Sequence, residues 1–269
     1  MFGEPGERIA YSVHEGPASA PAMMLVHGLT ASRASFLTNI EGLSRHFTVV
    51  STELLGHGDS DSPRDKLSYR PEAACERLIG LADELGLGRF FLCGHSLGGA
   101  LALRVALDQP RRLRGLIVIN SNSAAGSPKW HADRGPALAE LGARAVNEGM
   151  DFIKRTRLYP AASKRLPADA KNALATSFDE MEPHAFAHTG TELSARVSSW
   201  ARLGELRVPT LVVAGTRDRL FMENLPAMLA EMPSDYVQAV ELEGAGHAAN
   251  LEQPAEFEAV VVAFAESLV

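Results

Sequence analysis

The segment Phe90-Phe91-Leu92-Cys93-Gly94-His95-Ser96-Leu97-Gly98-Gly99 constrains the fold of this chain more than any other stretch. An apolar run suited to a buried strand ends in Gly-x-Ser-x-Gly, and a helical pattern begins at once. A strand and a helix joined this tightly need a bend that side chains would crowd, which Gly94 and Gly98 leave open. Ser96, at the apex, is expected in a strained backbone conformation that lifts its hydroxyl above the end of a sheet. The Leu97 N–H then sits at a helix N-terminus, where the dipole favours a developing negative charge. A five-residue pattern can arise by chance, so its meaning depends on what the rest of the chain supplies.

Around this junction the chain alternates apolar runs with helical patterns, which predicts a mostly parallel central sheet flanked by helices, an α/β fold. Strands are expected at Ala22–His27, Phe47–Glu53, Phe90–Gly94, Leu113–Asn120, Thr210–Gly215 and Tyr236–Leu242, and helices at Pro71–Leu85, Leu97–Asp108, Leu225–Met232 and Pro254–Val269. In the second helix Gly98, Gly99 and Ala100 permit close approach to the sheet, and Pro110 ends it. Between Ser121 and Leu203 the strand signal vanishes and Pro128, Pro136, Pro160, Pro167 and Pro183 punctuate Ala-, Glu- and Arg-rich sequence. The expected division is therefore a core of residues 1–122 and 204–269 with a helical cap inserted at 123–203. Val208-Pro209-Thr210 restarts the sheet. Most apolar residues of the insertion, at helical spacing, are expected to pack it onto the core. Trp130 and Phe152, with Phe221 beyond it, are candidates for a ligand pocket.

A serine hydroxyl is a weak nucleophile until a base takes its proton, and the base must be oriented by an acid. At a junction of this kind the partners follow in the order Ser, then Asp or Glu, then His. Asp218 comes directly after the run Thr210–Gly215, and His247 follows Ala239–Leu242 through Gly244-Ala245-Gly246. In a parallel sheet the carboxyl ends of the strands form one crevice, where Ser96, Asp218 and His247 can meet. Taken singly, Asp218 could cap a helix or pair with Arg217 or Arg219, and His247 could be an ordinary loop histidine. Their order and their placement at strand ends favour a catalytic set, with Glu241 and Glu243 poorer acids because they lie in or beside the strand. A second oxyanion donor is expected after an early strand, where His27-Gly28-Leu29 offers the Leu29 N–H to join that of Leu97. His27, Gly28 and His95 are further candidates for the substrate pocket.

Composition narrows the partners. A net charge of −7, with no basic stripe, argues against nucleic acid. The cluster Arg111, Arg112 and Arg114 reads as a solvated turn. Cys75 and Cys93 are the only cysteines and form no metal-binding or disulfide pattern, and Cys93 reads as a small buried hydrophobe. Neither a cofactor nor a metal is expected. No secretory h-region or membrane span is visible, so a cytoplasmic monomer or homodimer acting on a small molecule is the expectation.

These residues resemble the α/β-hydrolase superfamily. The likeness runs through His27-Gly28, Glu53-Leu54-Leu55-Gly56-His57-Gly58-Asp59-Ser60, Gly94-His95-Ser96-Leu97-Gly98-Gly99, Gly215-x-x-Asp218 and Gly246-His247-x-x-x-Leu251-Glu252-Gln253-Pro254. It implies an eight-stranded sheet with a helical cap, and acyl chemistry at Ser96. Glu53 departs from the family pattern, which usually has Asp there in a structural role. Phe91–Gly94, Asn120–Ala125 and Asn250–Pro254 look like the enol-lactone hydrolases, whereas Trp200–Leu203 through Asp218–Phe221 look like the lyase of menaquinone synthesis. That lyase has Arg where this chain has Ala100, and carbon–carbon hydrolases of ring-cleavage products usually have Trp where it has Ala248. The expectation is a serine hydrolase of a carboxylic ester or lactone. Alternatives are a lyase or carbon–carbon hydrolase using the same residues, or a ligand-binding hydrolase fold of low turnover.

Overall fold

The computed structural model describes residues 1–268. In chain order its strands are β1 (Tyr11–His14), β2 (Ala22–Val26), β3 (Thr48–Thr52), β4 (Phe90–His95), β5 (Leu113–Ile119), β6 (Thr210–Gly215) and β7 (Val237–Leu242). Its helices are α1 (Ile40–Ser44), α2 (Pro71–Glu84), α3 (Leu97–Asp108), α4 (Asn122–Ala125), α5 (Pro128–Glu148), α6 (Ala168–Asp179), α7 (Pro183–His188), α8 (Arg219–Glu231), α9 (Ala249–Glu252) and α10 (Pro254–Glu266). Residue 269, with which the expected last helix ended, lies outside the described residues.

One seven-stranded sheet runs in the order β1-β3-β2-β4-β5-β6-β7, with only β1 antiparallel. The expected eighth strand is absent among the described residues; ahead of β1 there is a single bridge between Phe2 and Ile9. Side chains alternate between two apolar layers. Met24, Val26, Leu92, Leu116, Val118 and Val212 face α2, α3 and α8, while Met23, Leu25, Phe91, Cys93, Ile117 and Leu211 face Phe257, Val261 and Phe264 of α10. A strand covered on both faces must be apolar throughout, which is why β4, buried at every position, reads as an unbroken hydrophobic run. Both cysteines are buried thiols within these layers, and burial pushes Cys75 up to about 12.

Everything between β5 and β6 is helix, short helical turn or loop among the described residues. Part of this insertion closes on itself, through Ala145, Ile153, Phe178, Met181 and Phe186. Leu166, Ala170 and Leu174 seat it on Ala31 and Leu251. Pro136 does not break the insertion as expected but lies inside α5, on the solvated stretch of a helix whose buried residues are Gly142 and Ala145. At that exposed position no packed neighbour opposes the local bend a proline imposes.

The tightest point is the β4–α3 junction. A Cβ on Gly98 would stand 2.2 Å from the Val26 carbonyl oxygen, and one on Gly94 would stand 2.2 Å from that of Gly98. Both obstacles are backbone, so neither can rotate away. Gly98→Ala should therefore destabilise the protein by about 3 kcal/mol or more, read from the urea midpoint at unchanged m-value. A midpoint within error of wild type would contradict this account of the junction.

Candidate active site

Ser96 adopts φ 54° and ψ −118°, left-handed backbone that a non-glycine residue avoids. Such a conformation costs on the order of 1–3 kcal/mol and persists only when its surroundings fix it. They do so from both sides. The Ser96 N–H donates to Ile119 O at 2.9 Å, and its carbonyl accepts from Gly99 N at 3.0 Å and Ala100 N at 3.3 Å. The Ser121 hydroxyl bonds to the same carbonyl.

The parallel register brings three loops to the edge where β4 ends. His247 Nε2 lies 3.1 Å from Ser96 Oγ, and His247 Nδ1 lies 2.6 Å from Asp218 Oδ2. The His247 side chain is 48% exposed while that of Asp218 is 9% exposed, so the imidazole meets solvent and the carboxylate does not. Asp218 also caps α8, its Oδ1 accepting from Phe221 N at 3.3 Å. Its roles as cap and as histidine partner, considered as alternatives from sequence, coexist because a carboxylate has two oxygens. Burial pushes the Asp218 carboxyl up, but the hydrogen bond and charge of His247, with donors from Phe221 and Asn120, more than offset it. The net pKa is lowered. Asp218 thus stays ionised through neutral pH, and the stability it adds is lost only as acid protonates it.

Sequence reasoning assigned no role to Asn120, the first residue after β5. It is fully buried at φ 41°, donates from Nδ2 to Asp218 Oδ2 at 3.1 Å, and accepts from Gly215 N at 3.0 Å. An amide closing an otherwise apolar strand was the available signal. Left-handed backbone suits Asn better than most residues.

Gly28 lies against the serine: a Cβ there would approach Ser96 Cβ to 3.0 Å. Neither the Leu29 N–H nor the Leu97 N–H donates to a protein acceptor among the described residues, and Leu97 opens a helix whose first amides have no internal partner. His27 is scaffold. Its Nδ1 donates to Gly28 O at 2.7 Å and its Nε2 accepts from Leu54 N at 3.0 Å, fixing a neutral ring, and burial holds its pKa well below the ordinary histidine value. His95 is also buried, with Nε2 on the His247 carbonyl at 2.9 Å.

The three aromatic candidates each have packing partners of their own. Trp130 packs within the insertion, edge-on to His131 and under Arg134. Phe152 borders the insertion's own cluster, with the Arg144 guanidinium 4.1 Å above its ring. Phe221 is a fully buried core side chain; the cap at Asp218 starts α8 six residues earlier than expected and turns Phe221 into the sheet-facing layer. Its backbone N–H meets Asp218.

Glu53 braces the loop beneath. It is nearly buried, accepts from Asp59 N at 2.8 Å, and meets Arg33 Nε at 3.2 Å. On the other side Glu252 accepts from Gly246 N at 2.8 Å, next to His247. No group of three or more His, Cys, Asp or Glu that could hold a metal ion is present among the described residues. No helix among them is long and apolar enough to cross a membrane.

The sequence pattern of the alpha/beta hydrolase family matches residues 23–260. A putative carbamate hydrolase of Variovorax paradoxus is 31% identical, covering 92% of each chain. A putative 2-succinyl-6-hydroxy-2,4-cyclohexadiene-1-carboxylate synthase of Bacillus subtilis is 26% identical over 97% of this chain and 96% of its own. The solved structure of a thermophilic esterase from Thermogutta terrifontis superposes with a TM-score of 0.80 at 26% identity, covering 97% of this chain and 93% of that one. The chain belongs to the alpha/beta hydrolase family.

Asn120→Ala strips Asp218 of one donor and leaves the buried Gly215 N–H unpaired. It should lower stability by about 1–3 kcal/mol in chemical denaturation, and reduce reactivity at Ser96 in the variant that remains folded. Unchanged values for both would remove Asn120 from the site.

Proposed function

We propose that this alpha/beta hydrolase is a serine hydrolase cleaving a carboxylic ester or lactone of a small, fairly apolar substrate through an acyl-enzyme. The observation that carries the reading is the continuous Ser96–His247–Asp218 hydrogen-bond chain at 3.1 and 2.6 Å. The thermophilic esterase and the carbamate hydrolase among its relatives support acyl chemistry.

In this reading Ser96 Oγ attacks the substrate carbonyl while His247 Nε2 takes its proton. Ionised Asp218 holds Nδ1–H and stabilises the imidazolium as it forms. The tetrahedral oxyanion is met by the Leu29 and Leu97 N–H groups, each worth on the order of 10²–10³ in rate. His247 then protonates the leaving alkoxide. A water deprotonated by the same imidazole releases the acid and restores Ser96. The exposed edge of His247 gives that water a path.

A second reading, a lyase that uses the same three side chains without acylation, is favoured by the Bacillus subtilis synthase, whose sequence aligns over almost the whole chain. Ala100 counts against it. That position carries Arg in the lyase pattern, and here it is an alanine, 1% exposed on α3.

Graded p-nitrophenyl esters and lactones in H₂¹⁸O, with fluorophosphonate labelling, separate the readings. Expected are one ¹⁸O in the product carboxylate, a single adduct on Ser96, and loss of about 10⁴-fold or more in kcat for Ser96→Ala, His247→Ala and Asp218→Asn. Turnover without ¹⁸O uptake would favour the lyase. Absence of any adduct would overturn the nucleophile assignment and leave a binding protein.

A further inference from the structure

We propose that His95, the residue before the nucleophile, is a positioning residue that sets the His247 imidazole from beneath. Its Nε2–H holds the His247 carbonyl at 2.9 Å, and its ring lies against the His247 ring with centroids 4.9 Å apart and planes tilted by 58°. The inference rests on the reading of Ser96 and His247 as nucleophile and base.

The two histidines are held very differently. His95 closes β4 and pairs with Ile119 of β5, so the sheet fixes its backbone. His247 follows a loop that turns through Gly244 at φ 79° and leaves the imidazole nearly half exposed. Its ring nitrogens bond to Ser96 and Asp218, which leaves the main chain of the loop to be held by other groups. A hydrogen bond to the carbonyl of the same residue and a neighbouring ring 4.9 Å away restrain it further. Both come from His95.

The chemistry of His95 suits this task and no proton-transfer task. A carbonyl acceptor requires the Nε2–H tautomer, so Nδ1 carries a lone pair. That nitrogen is buried, has no protein partner, and lies 3.5 Å from where a Cβ on Gly28 would stand. The ring is therefore wedged between the turn that presents the Leu29 N–H and the loop that presents the base. Burial, ahead of the neighbouring His247, lowers its pKa to about 3, so it stays neutral. A charged ring here would oppose the imidazolium that His247 has to become.

His95→Leu keeps much of the volume and removes the donor. His95→Gln places an amide donor near the Nε2 position, and His95→Asn places it near Nδ1. The assays are kcat and KM on p-nitrophenyl acetate and the second-order rate of fluorophosphonate labelling, with thermal unfolding as the check on folding. Misplacement of a reacting group by about 1 Å can cost 10²-fold. His95→Leu should lower kcat and the labelling rate in parallel, by about 10- to 100-fold with KM within about twofold, and His95→Gln should recover most of the loss. His95→Asn should not recover it. If His95→Leu fails to fold, the Gln and Asn variants carry the comparison. Wild-type rates in a folded Leu variant would overturn the proposal, and so would equal impairment of folded Gln and Asn variants. A wild-type protein that takes no label removes the serine nucleophile itself, and the role of His95 falls with it; a labelled wild type with unaffected variants condemns His95 alone.

Discussion

The whole arrangement depends on one backbone angle, the φ of 54° at Ser96. A strand that ended in relaxed geometry would carry the serine onward along the sheet and bury its hydroxyl. The left-handed turn instead reverses the chain into α3 within one residue, leaving Oγ within reach of His247 and Leu97 at the start of the helix. Three features hold that angle: the missing side chains at Gly94 and Gly98, the pairing of Ser96 N with Ile119 O, and the Ser121 hydroxyl on its carbonyl. Two of these come from the end of β5 and the residues just after it, which explains why that strand is followed by Asn120-Ser121 and not by further apolar residues.

Ion pairing and hydrogen bonding then extend outward from this point through groups that do more than one job. Asp218 starts α8 with one oxygen and holds His247 with the other. Asn120 binds Asp218 through its amide nitrogen and Gly215 through its amide oxygen. A buried polar group left unsatisfied is costly, and each of these side chains is bonded through both of its polar atoms. The result is a preorganised site built on strand ends, with the exposed imidazole as its least constrained member.

Much of this was legible in the sequence because it is local or periodic. The apolar runs located six strands to within one residue at each end, and helix α3 was placed residue for residue; burial at every position leaves β4 and β6 no alternative composition, whereas the half-exposed edge strand β7 was marked by its alternation. β1 was not legible. Tyr11-Ser12-Val13-His14 lies at the sheet edge, half exposed, so neither alternation nor an apolar run marks it. The start of α8 was missed for a different reason. Arg219 and Leu220 carry no periodic signal, and what begins the helix is the Asp218 cap. Asn120 and His95 were visible as residues but not as partners, since their roles come from contacts with residues 98 and 152 positions away.

The helical insertion shows where sequence patterning stops being informative and why substrate identity follows it. Its internal packing uses both small and aromatic residues, so sequence pattern alone does not separate a side chain that packs from one that meets a ligand. Its seating on the core is specific. The Thr30 hydroxyl donates to Leu158 O, and Arg165 donates to Gly244 O at 2.8 Å. Thr30 adjoins Leu29, the expected oxyanion donor, and Gly244 opens the loop that carries His247. The insertion therefore rests on the two loops that flank Ser96. Any shift in its seating moves an amide donor on one side or the imidazole on the other. The insertion and the groups that surround Ser96 are thus mechanically joined, although they lie in sequence regions with unrelated patterns.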